Sequence, residues 1–227
     1  MIELQNVYKQ YKNGTIALNN VSLQIADGEF VYIVGETGSG KSTLIKLLDG
    51  EEVPTKGRVI VNKINVGKLD FNKVPLYRRT IGVVFQDYQL LKEKTVAGNI
   101  GFALEVINKS KQEVNARVRE VLDIIDLAKE FDNYPTQLSG GQQQRVVIGR
   151  AIANKPKLLI CDEPTGNLDP RHSKDIIELL EKINASGTTV IVVTHDSSLV
   201  NNYRKRTITL DHGVILSDNM AGGYYNV

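Results

Sequence analysis

The feature that most constrains this chain is a glycine-rich loop between a predicted strand and a predicted helix. The apolar run from Phe30 to Val34 predicts a short buried strand. Apolar residues at helical spacing, from Thr43 to Leu48, predict a helix after the loop. The loop fits the pattern G-x-x-x-x-G-K-[ST] and consists of Gly35, Glu36, Thr37, Gly38, Ser39, Gly40, Lys41 and Ser42. Strand, loop and helix thus occur in the order that phosphate binding requires.

Each residue type in this loop has a chemical role in binding phosphate. Glycines let the backbone wrap so that several N–H groups point at phosphate oxygens, and the following helix adds its own free N–H groups and positive dipole end. Lys41 supplies a mobile positive charge for the outer phosphates, and the Ser42 hydroxyl is placed to ligate Mg²⁺. The alternative is a glycine turn that binds nothing, and the complete pattern in its expected context disfavours it.

The composition of the 227 residues is that of an ordinary soluble globular protein, with enough apolar material for a substantial core. The net charge of +2 is small and the positive residues are scattered, so charge does not support a nucleic-acid partner. No signal peptide and no run near the ~20 apolar residues of a spanning helix is present, so we expect a cytoplasmic polypeptide. The single cysteine, Cys161, lies in an apolar run and is expected to be a small buried hydrophobe.

Strand patterns surround the loop. Residues 1–34 alternate and contain two turn dipeptides, so they predict a small antiparallel sheet, which residues 57–66 continue. Thr80 to Phe85 predicts a further apolar strand, which Gln86 follows. Tyr11 stands just before the first turn, Asn13-Gly14. From the residues alone it is most simply a half-buried strand aromatic, and adenine stacking is the alternative.

The middle of the chain changes to helical periodicity. From Thr95 to Ala128 apolar residues recur on one helical face, and Gln143 to Ala153 predicts another helix. Ser139 is a good N-cap residue, and Gly140 and Gly141 after it leave backbone N–H groups open to an anion. The alternative for these residues is a plain capped helix start.

Two later strands end in candidate catalytic residues. The run Leu158 to Glu163, apolar up to its two terminal carboxylates, suits a central parallel strand, whose carboxyl end is where ligands bind. Asp162 is then placed to hold Mg²⁺ through water and Glu163 to orient or deprotonate an attacking water, whereas a solvated turn is the alternative. A helix is predicted over Ser173 to Ala185. The next strand, from Thr188, ends before His195, and that placement favours a role in the site.

These motifs, in this order, resemble an ATP-binding cassette (ABC) nucleotide-binding domain along nearly the whole chain. The resemblance implies an α/β fold of the P-loop NTPase class, with a RecA-like parallel-sheet core, an N-terminal antiparallel β subdomain and an inserted α-helical subdomain. It implies a single domain, with a catalytic core at about residues 1–88 and 157–227 and a helical subdomain at about 89–156. It also implies ATP and Mg²⁺ as cofactors and ATP hydrolysis as the reaction.

The resemblance further assigns roles to individual residues. Tyr11 would stack on adenine, and the phosphate loop would extend to Thr43. Ser42, Gln86 and Asp162 would serve Mg²⁺ and the water network, Glu163 would be the base and His195 would sense the γ-phosphate. The signature, defined as Leu138 to Gln142, and the turn Asn167 to Asp169 would complete the nucleotide site of a second copy, through Ser139, Gly140, Gly141, Gln142 and Asp169.

Within the family the chain resembles FtsE-type cell-division ATPases, whose membrane partner is FtsX. The supporting phrases are Tyr11 to Thr15, Val74-Pro75 with Arg78-Arg79, Phe85 to Leu91, and Asn154-Lys155-Pro156. Gln142 stands where that subfamily has glutamate and agrees with lipoprotein-release and macrolide-export ATPases. The resemblance implies an ATP-dependent homodimer on the cytoplasmic side of the cell membrane, bound through an FtsX-like integral membrane protein, with an exporter or lipoprotein-release ATPase as the alternative.

A soluble ABC protein that works on ribosomes or in DNA repair is a third possibility. Such relatives usually join two cassettes or carry a long coiled-coil insertion, and this sequence has neither feature. For the membrane partner, the apolar residues Tyr88, Leu90 and Leu91 after Gln86 are either locally buried or an exposed patch. We predict an exposed patch that docks the partner.

Overall fold

The computed structural model describes residues 1–223, in which the strands form two sheets. The strands are β1 (Ile2–Gln10), β2 (Ile16–Ile25), β3 (Phe30–Val34), β4 (Lys56–Val61), β5 (Ile64–Asn65), β6 (Ile81–Val84), β7 (Leu158–Asp162), β8 (Thr189–Val193), β9 (Arg206–Asp211) and β10 (Val214–Asn219). The α-helices are α1 (Lys41–Leu48), α2 (Val74–Arg78), α3 (Val96–Glu105), α4 (Lys111–Ile124), α5 (Gly140–Ile152), α6 (Pro170–Ala185) and α7 (Ser197–Asn202).

The strand directions in the two sheets are those predicted from the sequence. The N-terminal sheet is antiparallel, in the order β2-β1-β4-β5. The central sheet has the order β10-β9-β3-β8-β7-β6, and all its neighbouring strands are parallel except the terminal hairpin of β9 and β10. The predicted fold class, a parallel core with an antiparallel N-terminal sheet, is confirmed.

Strand β3 lies in the middle of the central sheet because both of its faces are apolar. Successive side chains of a strand point to opposite faces. Accordingly, Tyr32 and Val34 pack into a core cluster formed mainly with helices α3 to α6, whereas Val31 and Ile33 pack into a second cluster with α1 and the N-terminal sheet. The sheet is therefore covered on both sides, as a continuous apolar strand requires.

The helices differ from the prediction in their number and bounds. The segment from Thr95 to Ala128, predicted to be helical, contains two helices, because the chain leaves the helix after Glu105 and starts α4 at Lys111. Ser110 begins α4 with a reciprocal cap, in which its side chain accepts from Glu113 N and Glu113 accepts from Ser110 N. The structure also begins α5 at Gly140 and α6 at Pro170, earlier than predicted, and adds the unpredicted helices α2 and α7.

Two further expectations concern the core and the carboxyl end. Cys161 is fully buried, as predicted, and burial raises the pKa of its thiol far above the usual range. The short glycine-rich sequence from Met220 to Val227 predicts a loose tail, and its last residues, 224–227, lie outside the described residues. Within the described part of the chain, no helix has both the length and the apolar character needed to cross a bilayer.

Candidate nucleotide-binding and catalytic site

The parallel strands bring the predicted site residues to one edge of the central sheet. Ile33 on β3 and Asp162 on β7 both pair with Val193 on β8, and Val84 on β6 pairs with Cys161 on β7. Since parallel strands end on the same side, the segments that follow them emerge together. These segments carry the phosphate loop, His195, Glu163 and Gln86.

A cleft of about 490 Å³ opens at this edge. It is lined by Tyr11, Thr15, Ile16, Ala17, Thr37, Gly38, Gly40, Lys41, Ser42, Thr43, Gln86, Asp162, Glu163 and His195. All but three of these were predicted from the sequence. The three that were missed, Thr15, Ile16 and Ala17, follow the Asn13-Gly14 turn at the start of β2, and that turn next to Tyr11 was the available signal.

The phosphate loop needs glycine because its backbone runs against neighbouring main chain. Gly35 and Gly40 both have positive φ angles, 150° and 107°. A Cβ on Gly35 would lie 2.1 Å from Leu210 O, and one on Gly40 would lie 2.6 Å from Ala17 O. Gly40 also begins α1 without a side-chain cap, so side chains do not occupy the N–H groups of the first turn. These donors are therefore available to an anion.

The side chain of Lys41, the first residue of α1, binds the start of the phosphate loop. Its ammonium donates to Gly35 O at 2.7 Å and to Glu36 O at 2.8 Å. Burial lowers the pKa of Lys41, and the Glu163 and Asp162 carboxylates oppose that shift. Burial also raises the pKa of Asp162, and Glu163 adds to the rise while Lys41 opposes it. The cleft thus holds two acidic groups and one ammonium close enough to influence one another.

Glu163 and His195 form a direct contact at the cleft. His195 Nδ1 lies 2.6 Å from Glu163 Oε1. The Glu163 side chain is 12% exposed and that of His195 is 72% exposed, so the carboxylate is sheltered and the imidazole faces solvent. Glu163 N donates to Val193 O, and the Glu163 φ of 47° is left-handed. The backbone is therefore bent at the residue where the carboxylate turns into the cleft.

The position of Tyr11 is compatible with both alternatives that the sequence left open. Its ring is half-buried at the end of β1, and it also lines the cleft. Its hydroxyl lies 3.1 Å from Thr43 Oγ1, and the Lys9 ammonium lies 5.1 Å from the ring centroid. The hydroxyl contact joins the N-terminal sheet to the first turn of α1.

The signature lies away from this cleft. Ser139 caps α5, accepting from Gln142 N, while Gln142 accepts from Ser139 N. Gly141 packs on the His172 ring, because a Cβ there would lie 2.9 Å from His172 Cδ2. Asp169 caps α6, and the hydrogen bond from His172 contributes most to lowering the pKa of the Asp169 carboxyl. Ser139, Gly140 and Asp169 are exposed, and none of the signature residues is among the described residues that line the cleft.

The prediction of an exposed patch at Tyr88, Leu90 and Leu91 is wrong. All three side chains are half-buried, and Tyr88 and Leu90 pack against the core cluster of the helices. Two residues that sequence reasoning missed, Arg150 and Asn99, bind the main chain of this loop through their side chains. Their contacts hold the loop against the helices.

The fold and the cleft together define an ATP-binding cassette ATPase. The family model described as "ABC transporter" matches residues 18–166, and the chain belongs to this family. It is therefore an ATP-binding ABC subunit and an enzyme that converts ATP and water to ADP and phosphate.

Three individual members of the family show how similar the chain is to known proteins. The chain is 49% identical to the cell division ATP-binding protein FtsE of Bacillus subtilis (strain 168), over 99% of this chain and 98% of that protein. It is 41% identical to the methionine import ATP-binding protein MetN 1 of Oceanobacillus iheyensis, over 96% of this chain and 66% of that protein. A dimeric ATP-binding cassette, MJ0796, solved in a post-hydrolysis state with ADP and Pi, superposes with a TM-score of 0.86 at 38% identity, over 99% of this chain and 100% of that one.

Proposed function

We propose that the chain acts as an ATP-driven homodimer in which each copy completes the other's nucleotide site. In one copy, the phosphate loop through Thr43 would hold the phosphates and Tyr11 would stack on adenine. In the other, Ser139, Gly140, Gly141 and Gln142, with Asp169, would face the γ-phosphate. The observation that carries the proposal is the separation of the two donor sets, because the exposed N-terminus of α5 lies outside the 490 Å³ cleft.

In this proposal Glu163 is the general base. Its sheltered carboxylate would accept a proton from the attacking water, a role that requires an oxygen within hydrogen-bond reach of that water. His195 would hold that carboxylate through the 2.6 Å contact and respond to the γ-phosphate. Gln86, on the β6 side of the cleft, would orient the water.

Mg²⁺ fits the oxygen donors of the cleft. Ser42, Gln86 and Asp162 line it and offer a hydroxyl, an amide and a carboxylate. Within residues 1–223, no cluster of three or more His, Cys, Asp or Glu side chains could hold a metal, and Mg²⁺ commonly takes one or two carboxylates together with substrate phosphates. When bound, it would neutralise charge on the phosphate oxygens. Asp162, whose pKa is raised by burial, would gain a partner for its ionised form.

The test uses Glu163→Gln, which keeps the shape of the side chain but cannot accept a proton. We expect ATP binding to persist, turnover to stop and light scattering to show a dimer at saturating ATP and Mg²⁺. Adding Ser139→Arg places a bulky charge at the exposed signature and should return the protein to a monomer with unchanged ATP affinity. A Glu163→Gln protein that remains monomeric with ATP bound would refute the composite site.

We place the docking site for the partner in a groove of about 470 Å³ between the proposed catalytic core (about residues 1–88 and 157–227) and the proposed helical subdomain (about 89–156). Its lining includes two exposed apolar side chains, Phe102 at 40% and Val106 at 50% exposure. Arg78, Arg79 and Arg150 line it as well. This composition suits a short cytoplasmic helix with an apolar face and acidic flanks.

The partner in this proposal is an FtsX-like integral membrane protein, which would hold the chain at the cytoplasmic side of the cell membrane and transmit ATP-driven changes to septal cell-wall hydrolysis. The 49% identity to a cell division protein supports it. Transport, as the ATPase of an exporter or lipoprotein-release system, is the second candidate, and the 41% identity to an import ATPase supports a transport class.

Phe102→Glu tests the groove, with Leu216→Glu as a matched control. Leu216 is 46% exposed on β10, at the opposite edge of the central sheet from β6. We expect only Phe102→Glu to abolish membrane recruitment in cells, with ATP binding retained. A division defect would then support the first function, whereas normal septation with a transport defect would support the second.

A further inference from the structure

We propose that Arg150 is a positioning residue that fixes the loop after Gln86 to helix α5, so that a displacement of Gln86 is passed to the signature. The inference rests on the proposed function, in which Gln86 responds to the nucleotide. The Arg150 guanidinium donates to Gln89 O at 2.7 Å and to Tyr88 O at 3.2 Å. Two N–H groups on one planar cation therefore hold two consecutive carbonyl groups.

A second anchor holds the remainder of the same loop. Asn99 on α3 is fully buried, accepts a hydrogen bond from Leu91 N at 2.8 Å and donates to Leu91 O at 3.0 Å. It also donates to Lys94 O and Thr95 O. Arg150 and Asn99 thus tie the loop from Tyr88 to Thr95 to the helices. The exposed segment Phe85 to Asp87 remains between this anchored loop and the buried end of β6, so the bending has to occur there.

Helix α5 connects the anchored loop to the signature. Arg150 lies in its last turn and Ser139 is its N-cap, so the two ends are joined by 13 helical residues, a rod of about 20 Å. At the signature end, Tyr88 approaches the same helix, because a Cβ on Gly140 would lie 3.3 Å from the Tyr88 hydroxyl. The loop therefore contacts α5 at both ends. A shift of the loop cannot leave the signature in place unless one of these contacts breaks.

Arg150 also lines the groove that we assign to the partner. A helix seated there would lie against the side chain that holds Tyr88 and Gln89. Through this contact, docking of the partner would influence the nucleotide site, and the bound nucleotide would influence the docking site.

The test compares Arg150→Met with Arg117→Met. Arg117 on α4 is a matched arginine, since its guanidinium donates to Ile152 O and Ala153 O, both at 2.8 Å, but it does not reach the loop. Both variants lose a guanidinium that binds two carbonyl groups and keep an apolar side chain. Arg150→Lys adds a partial rescue, because an ammonium keeps the charge but not the planar fork.

We expect Arg150→Met to leave the KM for ATP within about twofold of the parent and to lower kcat by about tenfold to a hundredfold, because the signature is misplaced rather than the binding site. Arg117→Met should keep both parameters near those of the parent. Arg150→Lys should fall between the parent and Arg150→Met in kcat.

A distance measurement tests directly whether ATP moves the helical part of the chain relative to the catalytic core. Cys161 is buried and is the single cysteine of the chain, so spin labels attached at Lys111→Cys on α4 and Lys182→Cys on α6 will report selectively. In the Glu163→Gln background, ATP should shift the distance in the parent and with Arg117→Met. With Arg150→Met the shift should be lost although ATP is bound.

The possible outcomes separate the two proposals. If Arg150→Met retains both the ATP-induced shift and the parental kcat, the positioning role is refuted while the dimer proposal stands. Equal losses with Arg150→Met and Arg117→Met would reduce the role to packing and would also overturn the inference. If the parent itself shows neither an ATP-induced shift nor a dimer, the proposed function fails and the inference fails with it.

Discussion

Asn99 offers a sharp test of how the loop after Gln86 is held. Its side chain is fully buried and makes four contacts with main-chain atoms of the loop, one as acceptor from Leu91 N and three as donor. The three donor contacts, at 3.0 to 3.1 Å, are shared by the two hydrogens of one amide nitrogen. Replacing this amide with a carboxylate of the same shape should therefore be worse than removing it.

The number of these hydrogen bonds sets the expected loss of stability for each substitution. Asn99→Ala removes one acceptor and two donor hydrogens, and a neutral hydrogen bond contributes a net ~0.5–1.5 kcal/mol, so we expect a loss of about 2–4 kcal/mol in the free energy of unfolding. Asn99→Asp keeps the acceptor for Leu91 N. It also turns an oxygen without donors towards the carbonyl groups of Leu91, Lys94 and Thr95, unless the new carboxyl stays protonated.

Protonation gives the comparison a pH dependence of known sign. Burial raises the pKa of the introduced carboxyl in the folded protein, whereas the unfolded chain loses the proton near pH ~3.9. The folded state then holds more protons, so the stability of Asn99→Asp falls as pH rises, by about 1.4 kcal/mol per unit while the folded carboxyl stays protonated. The gap between Asn99→Asp and Asn99→Ala should therefore widen from pH 5 to pH 8.

Urea unfolding at several pH values provides the assay. Asn184→Asp is the control, since its amide donates to Gly28 O and Thr188 O from a half-buried position where water can solvate a carboxylate. We expect a small, nearly pH-independent loss for the control. An Asn99→Asp protein as stable as the parent at pH 8, or a gap to Asn99→Ala that does not change with pH, would refute this account of the loop.

Two further substitutions test other parts of the structure. Lys41→Ala should weaken ATP binding by at least about tenfold, because the phosphate loop loses its charge-assisted donor, and calorimetry with and without Mg²⁺ would measure the loss. An affinity equal to that of the parent would exclude this loop as the phosphate site. Tyr32→Phe should raise the free energy of unfolding by about 1 kcal/mol, because the fully buried Tyr32 hydroxyl has no hydrogen-bond partner within residues 1–223. Urea unfolding would check it, and a lower stability would reveal a partner for that hydroxyl.

Features set by neighbouring residues were predictable from the sequence. The strand before Gly35 and the cap at Ser139 depend on local patterns of apolar residues and on side chains within three positions of each other. The break between α3 and α4 belongs to the same group, although it was missed. The sequence Ser110-Lys111-Gln112-Glu113 is a capping-box signal, and it lies where α4 begins.

The grouping of the site residues required one more assumption, that the apolar runs form a parallel sheet. With that assumption, Gly35, Asp162 and His195 lie at or just after strand ends that must be on one side of the sheet. Thr15, Ile16 and Ala17 could not be placed in this way, because they come from the N-terminal sheet. Their position in the cleft depends on how β2 packs over the phosphate loop, where Ala17 O lies close to Gly40.

The loop after Gln86 shows why local pattern fails for surface segments. The sequence of the loop is the same whether apolar residues such as Tyr88 and Leu90 are buried or exposed. The residue that binds the main chain of the loop, Arg150, lies about 60 positions further along the chain. Because the guanidinium binds the carbonyl groups, no apolar or charge periodicity in the loop records the contact. The Arg150 side chain also lines the groove in which Phe102 and Val106 are exposed. One side chain therefore contacts both the loop and the groove, and we expect a substitution at Arg150 to alter both.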